Sequence, residues 1–348
     1  METRRTLLVD AFAAEPLAGN VAGVVPDAAG LSDDQMARIA AEIGASETAF
    51  LFDTDAAGDN AGGGEGTEGA DDADDANAPA DERLRYLTPS TEVDLCGHAT
   101  VATYGALFAE GAIDAGDRTL RTNVGDLDIT VDDDGTVWMR QNPPTVDVID
   151  PDREAGADPG REAGADPGRE AGADLDADRL GDALGIDPAA LRDVGADLPV
   201  AVASTGLPWL VVPVNFLERL GEAAPDMAAI EAISETCDVA GVYAFTFDSL
   251  AADSTLHGRA FAPAIGVPED PVTGTASGAV GAYLREVGAF DGEFPDELRF
   301  EQGHFVDRPG HVRVRVDGDS VRVGGRAVVS MDGELRVPAA DDDEIIEA

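Results

Sequence analysis

Two stretches of unusually small residues recur along the chain, and their recurrence limits the fold more than any other feature. Cys96-Gly97-His98-Ala99-Thr100 opens one and Thr273-Gly274-Thr275-Ala276-Ser277 opens the other, an offset of 177 residues (274 − 97). At that offset Ala99 matches Ala276, Ala102 matches Ala279, Leu107 matches Leu284, Gly111 matches Gly288 and Ala112 matches Ala289, while upstream Glu92 falls on Glu269. Two Ala-rich helices share several such pairs by chance, but matched starts, stops and a matched Leu together favour duplication. Each predicted helix is small on nearly every face, which suits one enclosed by a tightly wrapped sheet rather than one lying on a surface. The expected fold class is α+β: two pseudo-symmetric halves, each a curved, mostly antiparallel sheet or barrel around a central helix, with the helix N-termini available at the junction. The 348 residues, 44% of them hydrophobic, provide apolar material for two cores.

The remaining pattern alternates strands and helices. Ser32 with Gln35 reads as a capping box opening a helix whose apolar residues Met36, Ile39, Ala40 and Ile43 share a face and which Gly44 closes. Short β-branched runs predict strands at Thr6–Phe12, Thr48–Phe52, Leu127–Val131, Val137–Arg140, Trp209–Val214, Gly241–Phe247, Val312–Val316 and Val321–Val323. Two segments lack the large apolar residues needed to offset backbone entropy. They are Asp53–Asp81, rich in Gly, Ala, Asp and Glu, and Arg153–Asp174, which repeats the octet R-E-A-G-A-D-P-G. Both are expected to be solvated, mobile insertions. The expected boundaries are an N-terminal half over 1–145, a linker over 146–178 and a C-terminal half over 179–340.

Charge constrains the solvent before it constrains function. The chain carries 70 acidic and 23 basic residues, a net charge of −47, and every basic residue is Arg. Self-repulsion of that size opposes compaction in dilute buffer, whereas molar salt shortens the Debye length to about 3 Å and screens most of it. We therefore expect the protein to be folded in molar KCl and to lose structure at low ionic strength. Circular-dichroism melts across salt concentration check this, and equal or greater stability in dilute buffer would contradict it. The absence of clustered Lys or Arg argues against a nucleic-acid partner. No apolar run of about 18 residues predicts a membrane span, and the N-terminus does not read as a signal peptide, so the expected location is the cytoplasm. Cys96 and Cys237 are far apart and the four histidines are scattered, so spacing predicts no metal site.

A helix opened by Gly presents unpaired N–H groups and a partial positive charge, a ready site for a substrate carboxylate. Gly97 and Gly274 are the candidates, with close helix packing as the plainer alternative. Several stretches in order extend this reading: Val9-Asp10-Ala11-Phe12, Gly19-Asn20, Ser46-Glu47-Thr48-Ala49-Phe50, Thr88-Pro89 through Cys96-Gly97-His98-Ala99-Thr100, Ser204-Thr205-Gly206-Leu207-Pro208, Arg259-Ala260-Phe261-Ala262-Pro263, Glu269-Asp270-Pro271-Val272-Thr273-Gly274 and Gln302-Gly303. Together they resemble the successive signatures of PhzF-like proteins, over nearly the whole chain apart from the two insertions. Val21 departs from the Pro common after Gly-Asn. The resemblance implies two diaminopimelate-epimerase-like domains, usually a homodimer, and isomerase chemistry on a small carboxylate-bearing substrate without metal or organic cofactor.

If Ser46–Phe52 is a strand, Glu47 shares a face with Ala49 and Leu51, a setting that suits a carboxyl to shuttle protons near neutrality. A solvated carboxylate at a strand entrance is the alternative, and the resemblance favours the general acid/base. His98 lies where the positive end of the helix dipole disfavours the imidazolium, and it serves either the reaction or as a structural cap. The resemblance places His98 and Asp270 in the site with Glu47; Asn20 is expected to bind substrate, as are Gly97 and Gly274 at the helix starts and Thr275, which is equivalent to His98 in the repeat and offers a hydroxyl, while Asp270 is also suited to capping the Thr273-Gly274 turn. Diaminopimelate epimerases, which this sequence also resembles, use a thiol before each helix-opening Gly. Here Cys96 fills the first position and Thr273 the second, and a hydroxyl does not replace a thiol as a base. Two-thiol racemisation is therefore not expected, and Cys96 reads as a small core residue. Two rival readings keep the same fold: an amino- or hydroxy-acid epimerase, and a non-catalytic protein that binds a small acid.

Overall fold

The computed structural model describes residues 2–53, 80–149, 175–192, 194 and 198–339; the octet repeat and nearly all of the acidic insertion lie outside them. The chain forms two compact units, one from Met1–Val9, Val21–Val137 and Val328–Ala348, the other from Asp10–Asn20 and Trp138–Ala327. These differ from the contiguous halves expected above, because the last strand, Ala327–Val337, pairs with the first, Glu2–Ala11, and thereby returns the chain end to the first unit. The segment expected as linker is also shorter than 146–178. Residues Thr145–Val148 form a strand paired with Ala201–Ser204, and Leu175 is buried just before a helix at Ala177–Leu184. Likewise Asp53 and Asp81, the outer residues of the acidic stretch, are folded: Asp53 pairs with Glu82, and the Asp81 amide donates to the Thr119 carbonyl at 2.9 Å.

In the first unit, Thr48–Asp53 lies parallel to Asn20–Val25 and antiparallel to Glu82–Leu87, which continues parallel to Gly116–Thr122 and its hairpin partner Gly125–Val131. The capping box is realised: the Gln35 amide donates to Ser32 Oγ at 3.2 Å, and the Ser32 amide donates to Gln35 Oε1 at 3.0 Å. Met36, Ile39 and Ala40 of this helix, Asp33–Ile43, pack on Val25, Phe50 and Leu87. The central helix is Gly97–Ala109, in which Ala99 through Ala106 are all buried. A helix with no solvent face needs every neighbour to be sheet, and its small residues allow that approach.

The second unit repeats the device. Its strands run Thr145–Val148, Ala201–Ser204, Pro208–Pro213, Val242–Thr246, Leu256–Ala262, Leu298–Gln302, Gly310–Asp317 and Ser320–Gly325 in order of pairing, antiparallel except where Pro208–Pro213 meets Val242–Thr246 and where Leu256–Ala262 meets Leu298–Gln302. The central helix Gly274–Glu286 is buried from Ala276 to Leu284. At Gly281 even a methyl group would stand 2.6 Å from Val314 Cγ1, so the sheet has closed to a distance only glycine tolerates. Two helices, Ala177–Leu184 and Met227–Cys237, cover a separate layer of Leu210, Val212, Val242 and Ala244.

The duplication extends to single hydrogen bonds. Thr100 Oγ1 donates to the Cys96 carbonyl and Ser277 Oγ to the Thr273 carbonyl, both at 2.8 Å and 177 residues apart (277 − 100). The paired Glu92 and Glu269 each accept a two-pronged guanidinium, from Arg85 and Arg259 respectively.

A fully buried pair in the second unit predicts how stability depends on pH. His257 Nδ1 lies 3.0 Å from Glu301 Oε1, both side chains wholly enclosed. Burial pushes His257 below the ordinary imidazole value of 6.5 against the pull of Glu301, with His304 and Arg259 adding to the decrease. Burial opposes ionisation of Glu301, but the Leu250 and Ala251 amides and His257 hold its carboxyl below its ordinary 4.5. The pair is thus a neutral imidazole donating to a carboxylate. Both values are depressed by folding, so the unfolded chain binds more protons and acid favours it. In molar KCl, where general repulsion is screened, the urea midpoint should fall as pH drops from 6.5, through His257 and through His311, which burial also holds low, and again below 4.5, through Glu301. A midpoint that stays flat down to 4.5 would show that His257 and His311 take up their protons without cost.

Candidate functional site

Glu47 sits directly before the strand, which starts at Thr48 as expected, and not within one that takes in Ser46. The strand begins at Thr48, and Thr48 through Leu51 are all buried, so alternation of faces does not orient Glu47. Its position is set by the backbone instead: the Gly23 amide donates to the Glu47 carbonyl at 2.9 Å. Gly23 is required for this approach, because a Cβ there would stand 2.6 Å from Thr48 Oγ1.

The Glu47 side chain turns to the start of the first central helix. Glu47 Oε2 is 3.3 Å from His98 Nε2, with 22% of the Glu47 side chain and 14% of the His98 side chain exposed. Oε2 itself is closed off from solvent and accepts no hydrogen bond from the described residues, so the close approach lies off the hydrogen-bonding direction. His98 has two further neighbours, Ser46 Oγ at 3.4 Å from Nε2 and Cys96 Sγ at 3.4 Å from Nδ1. Cys96 is buried, as expected of a core residue, yet its sulfur is part of this cluster. The helix start carries no side-chain cap from Cys96, and a Cβ at Gly97 would meet nothing within 4 Å. Close packing therefore does not explain Gly97. It does bear on Gly274, where a Cβ would lie 3.2 Å from the Phe12 ring.

The second helix start, described within its own unit, is more tightly bonded. Asp270 Oδ1 accepts from Asn20 Nδ2 at 2.7 Å and Oδ2 accepts from Thr273 Oγ1 at 2.5 Å. Asn20 also donates to the Val272 carbonyl at 2.9 Å, so this buried amide braces the Asp270 turn. Gln302 completes the brace, donating to the Asp270 carbonyl at 2.7 Å and Thr273 Oγ1 at 3.1 Å while accepting from the Thr273 amide at 3.2 Å. Thr275 is half-buried at the position equivalent to His98. The loop that carries Asn20 is held by Arg308, which donates to Asp10 Oδ1 at 2.6 Å and to the carbonyls of Ala18 and Gly19.

The structure thus brings Glu47 and His98 together in one unit, and Asn20 and Asp270 in the other. Reading the sequence missed Ser46, Cys96, Thr273, Gln302 and Arg308 as members of these clusters. The signal for Gln302 was its Gly303 neighbour, whose φ of 84° and contact with the Arg308 carbonyl demand glycine; Arg308 had no local signal. Among the described residues no helix is long and apolar enough to cross a membrane.

A helix enclosed by a curved sheet, duplicated, with proton-carrying side chains at its N-terminus, is the architecture of the diaminopimelate-epimerase fold. Within that fold the chain belongs to the PhzC-PhzF family of phenazine biosynthesis-like proteins, whose family model matches residues 9–333, and it is an isomerase of that family. It is 31% identical over 338 residues to the uncharacterized isomerase YfhB of Bacillus subtilis, covering 96% of both chains. It is 34% identical over 337 residues to an uncharacterized isomerase of Deinococcus radiodurans, covering 93% of this chain and 92% of that one. A PhzF-family phenazine biosynthesis protein of Bacillus anthracis superposes with a TM-score of 0.73 at 29% identity, over 97% of this chain and all of the other. A hydroxyproline epimerase of Agrobacterium vitis, at a TM-score of 0.51 and 14% identity over 96% and 91% of the two chains, shares the fold alone.

Proposed function

We propose that this protein isomerises a small carboxylate-bearing substrate by moving a proton between carbons, or between carbon and oxygen, with Glu47 as the shuttle. The observation that carries this reading is Glu47 Oε2, screened from solvent, without a hydrogen bond from the described residues, and 3.3 Å from His98 Nε2. An oxygen kept free of hydrogen bonds is available to accept a proton from a reacting carbon, and the adjacent imidazole can exchange protons or polarise the developing charge. The uncapped first turn at Gly97 offers N–H groups and room for a carboxylate. In the second unit Asp270, braced by Asn20, is assigned a positioning or proton-relay role, and the N–H groups opened by Gly274 and the Thr275 hydroxyl are assigned to substrate binding. Thermal-shift screening of small acids in molar KCl, followed by NMR of the hits in D2O, tests the reading. A product with a migrated double bond or proton supports it, whereas a tightly bound acid left unchanged after long incubation points to a binding protein instead.

One contact favours a second reading, a one-thiol epimerase: Cys96 Sγ lies 3.4 Å from His98 Nδ1, the pairing that activates a thiol. No second thiol matches it, since Thr273 occupies the equivalent position and its hydroxyl is committed to Asp270. Cys96→Ala is therefore expected to retain substantial turnover. Abolished turnover in a variant with an unchanged circular-dichroism spectrum would favour the thiol mechanism.

A further inference from the structure

We propose that Glu47, Cys96 and His98 form a binding site for a borderline-soft divalent cation, zinc foremost, and that an ion there halts proton transfer. The ligand atoms of the three side chains all lie within 4.8 Å of one another. Bond lengths of about 2.0–2.3 Å to O, N and S place the donor atoms of a tetrahedral zinc about 3.3–3.6 Å apart. Glu47 Oε2 and His98 Nε2 are already 3.3 Å apart, and Cys96 Sγ is 3.9 Å from the same nitrogen and within 4.8 Å of the carboxylate, so a turn of the thiol by about an ångström closes the set. Nε2, the nitrogen beside Glu47, is the ligating atom, and the thiol, now nearer Nδ1 at 3.4 Å, turns toward it to complete the site. The proton then resides on Nδ1.

The donor set decides which ions bind. One thiolate, one imidazole and one carboxylate select zinc, cobalt(II) or copper over magnesium and calcium, which favour all-oxygen shells. Two anionic ligands balance the dication, while the positive end of the helix opposes it, so affinity should fall below that of a closed four-ligand structural site. Three ligands leave a fourth position for water, as in catalytic zinc sites. Binding converts the Cys96 thiol to thiolate and releases one proton to solvent, with no change in oxidation state. The ion occupies the Glu47 oxygen and the His98 nitrogen that the proposed reaction uses. The halting of turnover thus rests on that reading, whereas binding does not.

Cobalt(II) titration of the full chain in molar KCl with excess Mg2+, which occupies the acidic surface, is the test. The expected result is one ion per chain with a thiolate-to-cobalt charge-transfer band and tetrahedral visible absorption, one proton released, and displacement by Zn2+. Cys96→Ser should remove the charge-transfer band and weaken binding by at least about 10-fold, the loss typical of removing even an outer-shell partner. Glu47→Gln should keep the band and weaken binding, and Cys237→Ser should change neither. Equal affinity in wild type and Cys96→Ser, or a band abolished by Cys237→Ser, would overturn the site. Saturating Zn2+ that binds with the expected signature yet leaves turnover intact would overturn the halting of proton transfer, and with it the role of Glu47, while leaving the metal site standing.

Discussion

Glu47→Gln should lower turnover by on the order of 10²-fold or more while substrate binding survives. The substitution keeps the length and much of the polarity of the side chain and removes only its capacity to exchange a proton. Because the backbone of Glu47 is fixed by the Gly23 amide and not by its own side chain, the variant should fold as the parent does. Glu47→Asp keeps the carboxyl but withdraws it by one methylene, and proton transfer needs heavy atoms within about 3 Å, so this variant should also be badly impaired. Replacing His98 or Asp270 should harm both binding and rate, since each is assigned to positioning as well as to the polar network at a helix start. Steady-state kinetics separates these patterns, and near-normal kcat in Glu47→Gln would remove Glu47 from the mechanism.

Arg259→Gln should be the most destabilising single polar substitution in the second unit, by about 3–5 kcal/mol, the usual cost of leaving one partner of a buried ion pair alone. Arg259 is 7% exposed and Glu269 16%, and the pair is two-pronged, with both N–O separations 2.8 Å. The remaining guanidinium nitrogen donates to the carbonyls of Leu220 and Ala223 at 3.0 and 2.9 Å, which closes the end of the helix Leu217–Glu222. A glutamine reaches neither that helix nor both carboxylate oxygens. The loss therefore combines an unpaired, half-buried carboxylate with the loss of the guanidinium donor at the Ala223 carbonyl, while the Leu220 carbonyl keeps the Ala223 amide at 3.3 Å. Urea midpoints in molar KCl measure it, and a loss under about 1 kcal/mol would place this pair with solvated surface bridges. The double variant Arg259→Gln/Glu269→Gln should recover part of the loss, because it removes the orphaned charge.

What could be read in the sequence follows from where local rules decide the structure. The capping box at Ser32, the enclosure of both helices and the duplication at 177 residues rest on residue size and spacing, and the packing repeats them (277 − 100). The strand Leu256–Ala262 could not be read, because it is buried on both faces and carries His257 and Arg259, so neither alternation nor hydrophobicity marks it. The return of Ala327–Val337 to the first unit had no local signal either, since its partner lies at the opposite end of the chain. At the sites, the motifs named Glu47, His98, Asn20 and Asp270, but the reason first given for Glu47 differed from the physical one. Alternation along a strand starting at Ser46 would have aimed the side chain, whereas a backbone bond from Gly23 and contact with His98 place it. The bracing side chains Gln302 and Arg308 act across long sequence separations, which spacing does not reveal.

The claim that Glu47 carries a substrate proton is tested most directly by isotope incorporation in D2O, with wild type and Glu47→Gln compared on the same substrate by NMR. The account predicts deuterium at the carbon that gains a proton in the wild-type product, and incorporation slowed by on the order of 10²-fold in Glu47→Gln although the substrate still binds. Incorporation at the wild-type rate in Glu47→Gln would contradict it.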